Sequence, residues 1–396
     1  MGGRILTHHI ETNELPVELG AEFIHGRPPA IFALIEASRL RAIETSGRRL
    51  LSDSGVLRPF DDFWDIVDKI NTQIDPRADV SYQQFLESVK APPLHKRMAK
   101  SYVEGFNAAR AELISAASIV TAERAAERIN GETQFRLPSG YDRIIRELAR
   151  PLPENCIRFE HVVREVKWRR RQAEVRCTCG EDEIRLSARQ LITTLPLALM
   201  RRPPDEPGGI YFDPPLTAKA EALARLEVGQ VMKVVICFRE RFWESSQNVG
   251  GNTPVGLVFC FDATFPILWT VEPLRENVVV AWAAGSASER LIGLTPAEIR
   301  SAVINSVSTT FGIPDGQVEA QLTAIYFHDW SADPFARGAY SYPGVGDLKA
   351  PQKLAEPLDG TLFFAGEATD FQGANGTVHG AIESGYRAAR EVLEEI

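Results

Sequence analysis

The segment Thr361-Leu362-Phe363-Phe364-Ala365-Gly366-Glu367, followed by Gly373 and Gly376-Thr377-Val378-His379-Gly380-Ala381, decides the fold. Its apolar beginning predicts a buried strand that ends at Gly366-Glu367, and the residues from about Thr377 to Glu394 predict a helix. Ligands of open α/β sheets bind outside the carboxyl ends of such strands. The segment therefore predicts an α/β protein with a ligand site between a strand end and a helix N-terminus.

The chemistry of this predicted site suits a flavin. Free N–H groups at Thr377 and Val378 would present positive partial charge, and a reduced flavin carries negative charge at one ring edge. That interaction is worth roughly 0.3 to 1 kcal/mol. Glu367 can accept hydrogen bonds from sugar or ribityl hydroxyls. The alternative is that the glycines serve helix packing and Glu367 caps a turn, and the residues alone leave both interpretations open.

Composition excludes several classes of protein. At roughly 150 residues per domain, 396 residues predict two or three domains. The formal charge is −9, and the short basic run 169–171 fits the solvated end of a hairpin, so nucleic-acid binding is disfavoured. Five cysteines without repeated spacing argue against a disulfide framework, and His8-His9 match no metal-ligand spacing. With no apolar run of 18 residues and no signal peptide, we expect a cytoplasmic protein without membrane partners.

The rest of the chain divides into helical and strand-rich regions. Residues Asp61 to Arg128 predict a mostly helical block, and Tyr141 to Leu152 predict a short helix. Alternating apolar and polar residues predict meander strands at Val162–Trp168, Glu174–Thr178 and Ile184–Leu186. A second strand-rich region contains Val231–Phe238, Leu257–Phe261 and Asn277–Ala283, followed by a predicted helix from Pro296 to Thr309.

Further motifs follow one another in a specific order. They are Gly2-Gly3-Arg4, Glu18-Leu19-Gly20-Ala21-Glu22-Phe23-Ile24-His25-Gly26, Leu137-Pro138-Ser139-Gly140-Tyr141-Asp142, Thr193-Thr194-Leu195-Pro196-Leu197, Lys233-Val234-Val235 with Phe242-Trp243, Trp330 with Asp333-Pro334-Phe335, and Gly338-Ala339-Tyr340. With the C-terminal segment, their order and spacing resemble the flavin-containing amine oxidases, the family of monoamine oxidases, polyamine oxidases and their bacterial relatives. The resemblance covers nearly the whole chain.

The resemblance implies an α/β fold with two discontinuous domains. A Rossmann-like, FAD-binding domain would comprise residues 1–46, 128–223 and 349–396. A mixed sheet-plus-helix substrate domain would comprise residues 47–127 and 224–348. Family members begin with a strand, a G-x-G-x-x-G turn and a helix, whereas Met1 here directly precedes Gly2-Gly3-Arg4. We therefore expect this first βαβ unit, on the order of 30 to 40 residues, to be missing together with its pyrophosphate site.

The resemblance also implies which residues bind FAD. Arg4, Gly20 and Ala21 would pack around the flavin, and Val163 would lie on the strand whose backbone holds the adenine. Gly366, Glu367, Thr377 and Val378 would lie at the ribityl chain and the pyrimidine edge. Ala339 stands where monoamine oxidases carry the cysteine that bonds the flavin, so we expect non-covalent FAD.

Four residues are candidates for the chemistry. Lys233 lies among apolar strand residues, where an unpaired charge is costly to bury. The resemblance implies that Lys233 holds a water against flavin N5, as the family lysine at this place does. The alternative is that Lys233 lies on an edge strand and its amine reaches solvent. Trp330 and Tyr340 resemble the aromatic residues that frame the amine, and His25 matches a polar position near the substrate. Each of these three is alternatively a structural residue.

The implied reaction removes a hydride from the carbon next to a primary or secondary amine, giving an imine, while dioxygen is reduced to hydrogen peroxide. Thr377 replaces a tyrosine of the monoamine oxidase aromatic cage, which favours the polyamine side. Two alternatives stay open. The first is a flavin L-amino-acid oxidase or desaturase-like relative, which would carry a cationic residue that pairs with a substrate carboxylate. The second is a truncated non-catalytic homologue that cannot hold FAD.

Overall fold

The structure is a computed structural model that describes residues 1–10, 15–245 and 254–395. Helices and strands alternate along these ranges, and both parallel and antiparallel strand pairs occur. This arrangement confirms the predicted α/β class.

A seven-stranded sheet is the largest one in the described residues. In spatial order its strands are Leu322–Phe327, Val231–Phe238, Val278–Ala284, Ile267–Thr270, Val255–Phe259, Arg48–Asp53 and Val56–Pro59. Neighbouring strands are antiparallel except that Val255–Phe259 runs parallel to Arg48–Asp53. All seven strands come from 48–59 and 231–327; the division of the chain into two domains stays a prediction.

The strand Val231–Phe238 supplies side chains to two different environments. All eight of its residues are buried, because it lies between two other strands and is covered on both faces. Met232, Val234 and Ile236 pack on one face in a core that includes residues of the helix Pro296–Phe311. Lys233 and Val235 lie on the other face, since successive side chains of a strand alternate.

The remaining sheets are small. Asp182–Ala188, Gln172–Cys179, Val162–Arg169 and Tyr211–Asp213 form a four-stranded sheet, and Ile24–His25, Gln134–Arg136 and Ile43–Glu44 form a three-stranded one. The two-stranded sheets are Thr7–His8 with Val17–Glu18, Leu226–Val228 with Ser341–Pro343, and Leu191–Thr193 with Leu362–Phe364.

Helices cover the sheets. The helical block predicted over 61–128 consists of Phe63–Asn71, Tyr82–Ser88, Pro93–Asn107 and Ala116–Glu127. The others are Pro29–Ala37, Asp142–Ala149, Leu197–Met200, Ala220–Arg225, Phe242–Ser245, Ser286–Glu289, Pro296–Phe311, Asp315–Gln321, Ala350–Ala355 and Val378–Glu394, with 3-10 turns at Thr217–Lys219 and Glu367–Thr369. Within the described ranges, no helix combines the length and the apolar character that crossing a bilayer requires.

The C-terminal segment forms the strand, loop and helix that its sequence predicts. Leu362–Phe364 is fully buried and pairs in parallel with Leu191–Thr193. The chain then turns at Gly366, whose φ of +113° favours glycine. Thr377 caps the helix Val378–Glu394 by accepting a hydrogen bond from the N–H of Gly380 at 3.0 Å.

Shortening a core side chain of the strand Val231–Phe238 should destabilise the protein. Ile236 is 1% exposed, so Ile236→Ala should lower the free energy of unfolding by about 2–5 kcal/mol. Ile292, which is 48% exposed, provides the control: Ile292→Ala should change it by no more than about 0.5 kcal/mol. Urea unfolding of both variants measures the difference, and equal effects would contradict the burial described for Ile236.

Candidate active site

One cavity of about 1080 Å³ brings together most of the predicted site residues. Ligand pockets usually measure about 300–1,000 Å³, so it has room for a large ligand. Eleven of the twelve predicted residues line it: Arg4, Gly20, Ala21, His25, Lys233, Trp330, Tyr340, Gly366, Glu367, Thr377 and Val378. Val163 does not; it belongs to the four-stranded sheet and packs against a separate apolar cluster. Their roles stay predictions.

Glu367 connects three walls of this cavity. It is 5% exposed, and its Oε1 accepts a hydrogen bond from Arg4 Nη1 at 2.9 Å. Its Oε2 accepts from the backbone N–H and the hydroxyl of Ser341, at 3.2 and 2.7 Å, and from the N–H of Gly376 at 3.0 Å. Arg4 also donates to the carbonyl of Ala339 at 2.6 Å. Oε2 is thus filled by protein donors, while Oε1 keeps room to accept from a ligand hydroxyl.

The helix Val378–Glu394 offers space and donors to a ligand. The N–H groups of Val378 and His379, in its first turn, have no hydrogen-bond partner among the described residues, whereas the N–H of Thr377, predicted to be free, donates to the carbonyl of Ala374 at 3.3 Å. Further along the helix, a Cβ added at Gly385 would meet no atom within 4 Å, and Gly385 lines the cavity. Free amides and an open helix face fit a flat, partly anionic ring such as a flavin. All five cysteines are free and none lines the cavity, which fits a non-covalently held group.

Lys233 forms a buried ion pair that the sequence did not predict. Its Nζ lies 2.5 Å from Oε2 of Glu22 and donates to the carbonyl of Gly20 at 3.2 Å. The side chains of Lys233 and Glu22 are 3% and 7% exposed. Lys233 therefore does not reach solvent from a sheet edge. The partner could have been sought from sequence, because a lysine among apolar strand residues needs a counter-ion.

Other protein groups fix Glu22. Its Oε1 accepts from Arg136 Nε at 2.8 Å and from Trp269 Nε1 at 3.2 Å. Arg136 in turn donates to the carbonyl of Thr270 at 3.2 Å. Burial alone would raise the pKa of Glu22, but the charges of Lys233 and Arg136 outweigh it and lower that pKa. Glu22 is therefore a carboxylate between two cations.

Trp330 and Tyr340 are held by hydrogen bonds to the segments beside them. Trp330 is 6% exposed, and its Nε1 donates to the carbonyl of Leu19 at 3.0 Å. The hydroxyl of Tyr340 donates to the carbonyl of Phe106 at 2.8 Å. Because these bonds satisfy both polar groups, the rings present mainly apolar surface to the cavity.

Two histidines in the cavity are neutral at pH 7. Burial, with a smaller effect of His379, lowers the pKa of His25 to about 4. Burial likewise lowers the pKa of His379 to about 4. Neither side chain therefore adds a positive charge that would repel an amine. His379 belongs to a motif that the sequence singled out, but no role was predicted for it.

An aromatic wall crosses the cavity, and the sequence predicted only one of its members. We use this name for seven rings in successive contact, with neighbouring centroids 5.1–6.2 Å apart: Trp64, Tyr102, Phe106, His25, Phe23, Trp269 and Trp282. All seven line the cavity. They come from a helix near the start of the predicted helical block, a second helix, the segment before the three-stranded sheet, and two strands of the large sheet, so no local pattern reveals them.

Glu18 lies beneath the segment that carries Gly20 and Glu22. Its Oε2 accepts from the hydroxyl of Thr7 and its Oε1 from the N–H of Tyr141, both at 2.7 Å. Burial nevertheless raises the pKa of Glu18 to about 7. This carboxyl group is thus protonated in the folded protein over a pH range in which an exposed glutamate is ionised.

The fold and the cavity define an α/β protein with a site large enough for a cofactor. Residues 1–393 match the family model of the flavin containing amine oxidoreductases, so the chain belongs to that family. This confirms the predicted family and the flavin cofactor.

Curated relatives match parts of the chain. It is 31% identical over 268 residues to the possible lysine-specific histone demethylase 1 of Drosophila melanogaster, a match that covers 61% of this chain and 29% of that protein. It is 26% identical over 307 residues to the probable polyamine oxidase 5 of Arabidopsis thaliana, covering 66% of this chain and 55% of that protein. The matched regions span about a third to a half of these relatives' own length.

Solved structures show the same fold. A structure of putrescine oxidase bound to putrescine superposes with a TM-score of 0.81 at 19% identity, covering 99% of this chain and 91% of that one. Cyclohexylamine oxidase from Brevibacterium oxydans superposes with a TM-score of 0.78 at 19% identity, covering 100% and 91%.

Filling the helix face at Gly385 should exclude the flavin without damaging the protein. Gly385→Leu adds a side chain that points into the cavity, and leucine favours a helix by roughly 1 kcal/mol over glycine. The ratio of flavin absorbance to protein should fall while the thermal midpoint of the cofactor-free protein is kept or raised. Gly316→Leu is the matched control, because Gly316 is also a helical glycine with open space but does not line the cavity. Equal flavin content in both variants would contradict this placement of the cofactor.

Glu18 should make the stability of the protein depend on pH. Its pKa is raised from 4.5 to about 7 on folding, so the folded state binds more protons than the unfolded state between these values and stability falls as pH rises. Glu18→Gln removes this loss. Relative to the wild type, the variant should gain up to about 3 kcal/mol between pH 5 and pH 8. Urea unfolding at several pH values measures it. Exposed Glu36 supplies the control, and a Glu18→Gln difference as flat with pH as that of Glu36→Gln would refute the effect.

Proposed function

We propose that the chain oxidises a primary or secondary amine to an imine, using non-covalently held FAD, with dioxygen reduced to hydrogen peroxide. The observation that carries the proposal is the single cavity that contains both the cofactor residues and the amine-facing residues named by the family resemblance. We also propose a cytoplasmic location, which the five free cysteines support.

The residues that line the cavity fit the flavin ring and the ribityl chain of FAD. Arg4, Gly366 and Glu367 with the first-turn amides of the helix Val378–Glu394 would hold it, with Gly20 and Ala21 beside them. When bound, FAD supplies a two-electron acceptor for the hydride on the carbon next to the amine nitrogen and passes the electrons to dioxygen.

The chain's own residues prepare the amine for this chemistry. The aromatic wall excludes water and favours an amine that has lost its proton, because a charged ammonium is costly to desolvate. Trp330 and Tyr340 would frame the amine. His25, being neutral, can exchange a hydrogen bond with an uncharged amine. Lys233 would hold a water close to the cofactor.

The charges of the cavity bear on the substrate. Within the described residues, four carboxylates line it: three are paired with lysine or arginine, Glu22 with Lys233, Glu272 with Arg241 and Glu367 with Arg4, and the fourth, Asp333, lies 2.8 Å from Nε2 of His328. A polyamine needs free carboxylates for its further ammonium groups. The charge balance therefore favours an amine with one nitrogen and an apolar substituent that packs on the aromatic wall, although the C-terminal motif favours the polyamine side.

One observation keeps an amino-acid substrate as a second candidate. Arg49 lines the cavity with its guanidinium carbon 5.8 Å from the centre of the Trp64 ring. In the part of the chain that the structure describes, no carboxylate lies within ion-pairing distance of it. It can pair with a substrate carboxylate, which is the feature expected of an L-amino-acid oxidase.

The test is spectroscopy followed by a substrate panel. The purified chain, supplied with FAD, should show flavin absorbance bands and release hydrogen peroxide under air with an apolar monoamine such as benzylamine. Spermidine and phenylalanine, at equal concentration, test the polyamine and amino-acid candidates. Lys233→Met should bind FAD but slow its reoxidation by dioxygen, by about 100-fold if the lysine acts through a held water in proton transfer.

Three results would count against the proposal. A colourless chain that stays inert with FAD would favour the non-catalytic alternative. A yellow chain that oxidises phenylalanine and no plain amine would favour the amino-acid candidate, and Arg49→Met should then raise KM for phenylalanine. Unchanged reoxidation in Lys233→Met would rule out the role given to Lys233.

A further inference from the structure

The ion pair of Glu22 and Lys233 lies at the wall of the active cavity rather than in the general core. Both residues line the cavity, and both side chains are almost completely buried. Lys233 and Glu22 come from different parts of the fold, the strand Val231–Phe238 of the large sheet and the segment after Val17–Glu18. The pair therefore joins the sheet to the cofactor side of the cavity.

Stability alone does not account for such a pair. Two buried charges lose their hydration, and apolar side chains of similar volume commonly serve a core as well or better. The same face of the strand carries Val235, which packs in an apolar cluster. An apolar residue at position 233 would have continued that cluster, so the charge serves another purpose.

The geometry of the ammonium group indicates this purpose. A lysine ammonium has three N–H donors. One faces Glu22 Oε2 at 2.5 Å and a second donates to the carbonyl of Gly20 at 3.2 Å. Among the described residues the third has no hydrogen-bond partner, and since Lys233 lines the cavity, that N–H is available to whatever the cavity holds.

Glu22 is itself immobile. Arg136 and Trp269 hold its other oxygen, and the guanidinium carbon of Arg136 lies 4.7 Å from the centre of the Phe23 ring. Trp269 packs against the same ring, with centroids 5.4 Å apart. A carboxylate whose Oε1 is fixed by two donors presents its Oε2 to the ammonium in a set position, which preorganises the lysine before any ligand arrives.

We propose that Glu22 is a positioning residue: it keeps Lys233 as an ammonium and directs the free N–H of that ammonium into the cavity. Glu22 itself does not act on the substrate. The other groups near Lys233 are Glu18, beneath the same segment, and Arg136, on the far side of Glu22. The neighbouring strand places the uncharged Trp282 opposite Lys233.

The protonation state of Lys233 can be measured without turnover. The chain contains nine lysines, so carbon-13 labelling at lysine Cε gives few NMR signals, and the signal lost in Lys233→Met identifies Lys233. In Glu22→Gln the uncharged amide leaves a buried ammonium without its counter-ion, which favours the neutral amine. The Lys233 signal of the FAD-loaded protein should therefore change to that of a neutral amine at lower pH in Glu22→Gln than in the wild type.

Glu272→Gln is the matched control for this measurement. Glu272 is an equally buried carboxylate that lines the same cavity but pairs with Arg241. Its replacement should leave the Lys233 signal at the wild-type position throughout the titration. Glu22→Asp keeps the charge but withdraws it by one methylene, so Lys233 should lose its proton at a pH between those of Glu22→Gln and the wild type; this variant serves in place of Glu22→Gln if circular dichroism shows that the amide variant does not fold. Lys233 titrations in Glu22→Gln, or in Glu22→Asp where it takes that place, that do not differ from the titration in Glu272→Gln would overturn the proposal.

A kinetic cycle tests whether Glu22 acts through Lys233. Glu22→Gln should reduce kcat by up to about 100-fold through misplacement of the lysine, with a smaller change in KM. In the Lys233→Met background the same substitution should reduce kcat no further. If the two residues had independent roles, the fold reductions in kcat of the two single variants would multiply in the double variant. Multiplying effects would contradict a positioning role. This kinetic arm rests on the proposed amine oxidation, whereas the NMR titration does not. If the chain oxidises no amine, the NMR titration still tests the role proposed for Glu22.

Discussion

The buried carboxylate of Glu367 is the interaction on which the cavity depends. Its four hydrogen bonds come from the N-terminal turn at Arg4, the strand at Ser341 and the glycine loop at Gly376. A buried carboxylate is costly unless its hydrogen bonds are made, so these three segments must be in place together. The loop geometry that frees the first-turn amides of Val378–Glu394 is thereby coupled to the position of the N-terminal turn. The cofactor side of the cavity forms as one unit and not as a set of separate loops.

Much of the fold could be predicted because its signals are local. The strand Val231–Phe238 has the predicted bounds, and the last helix begins within one residue of its predicted start. Both are long elements with uninterrupted patterns, and Thr377 is a residue that caps helices well. The predicted hydrogen bonds of Glu367 to sugar hydroxyls illustrate what local sequence signals cannot predict. Sequence places a carboxylate at a strand end, but it does not show that Arg4, Ser341 and Gly376 already occupy most of its lone pairs.

The parts of the site that sequence did not reveal depend on contacts between distant segments. The sequence of Lys233 and its neighbours indicates that a counter-ion is required, yet 53 acidic residues are available and their spacing does not single out Glu22. The aromatic wall has the same origin, since its rings come from separate helices and strands. The resemblance to a family pointed to twelve residues, of which eleven line the cavity, and their roles stay predictions. Pairings that belong to this chain's own packing became visible only when the cavity was assembled.

The strand Val231–Phe238 shows how closely stability and chemistry are joined in this fold. Met232, Val234 and Ile236 face the core, while Lys233 between them faces the cavity. Pairing with both neighbouring strands fixes the position of Val231–Phe238 along the sheet. Lys233 lies opposite Trp282 of one neighbour, and Val234 lies opposite Phe327 of the other. A slip of one residue would move the lysine into the apolar core and the core-facing side chains toward Glu22, because it exchanges every side chain of the strand between faces. The energy that opposes such a slip includes the burial of the core side chains as well as the pairing of Lys233 with Glu22. The same hydrophobic pattern that stabilises the sheet therefore also fixes which face of the strand reaches the active cavity.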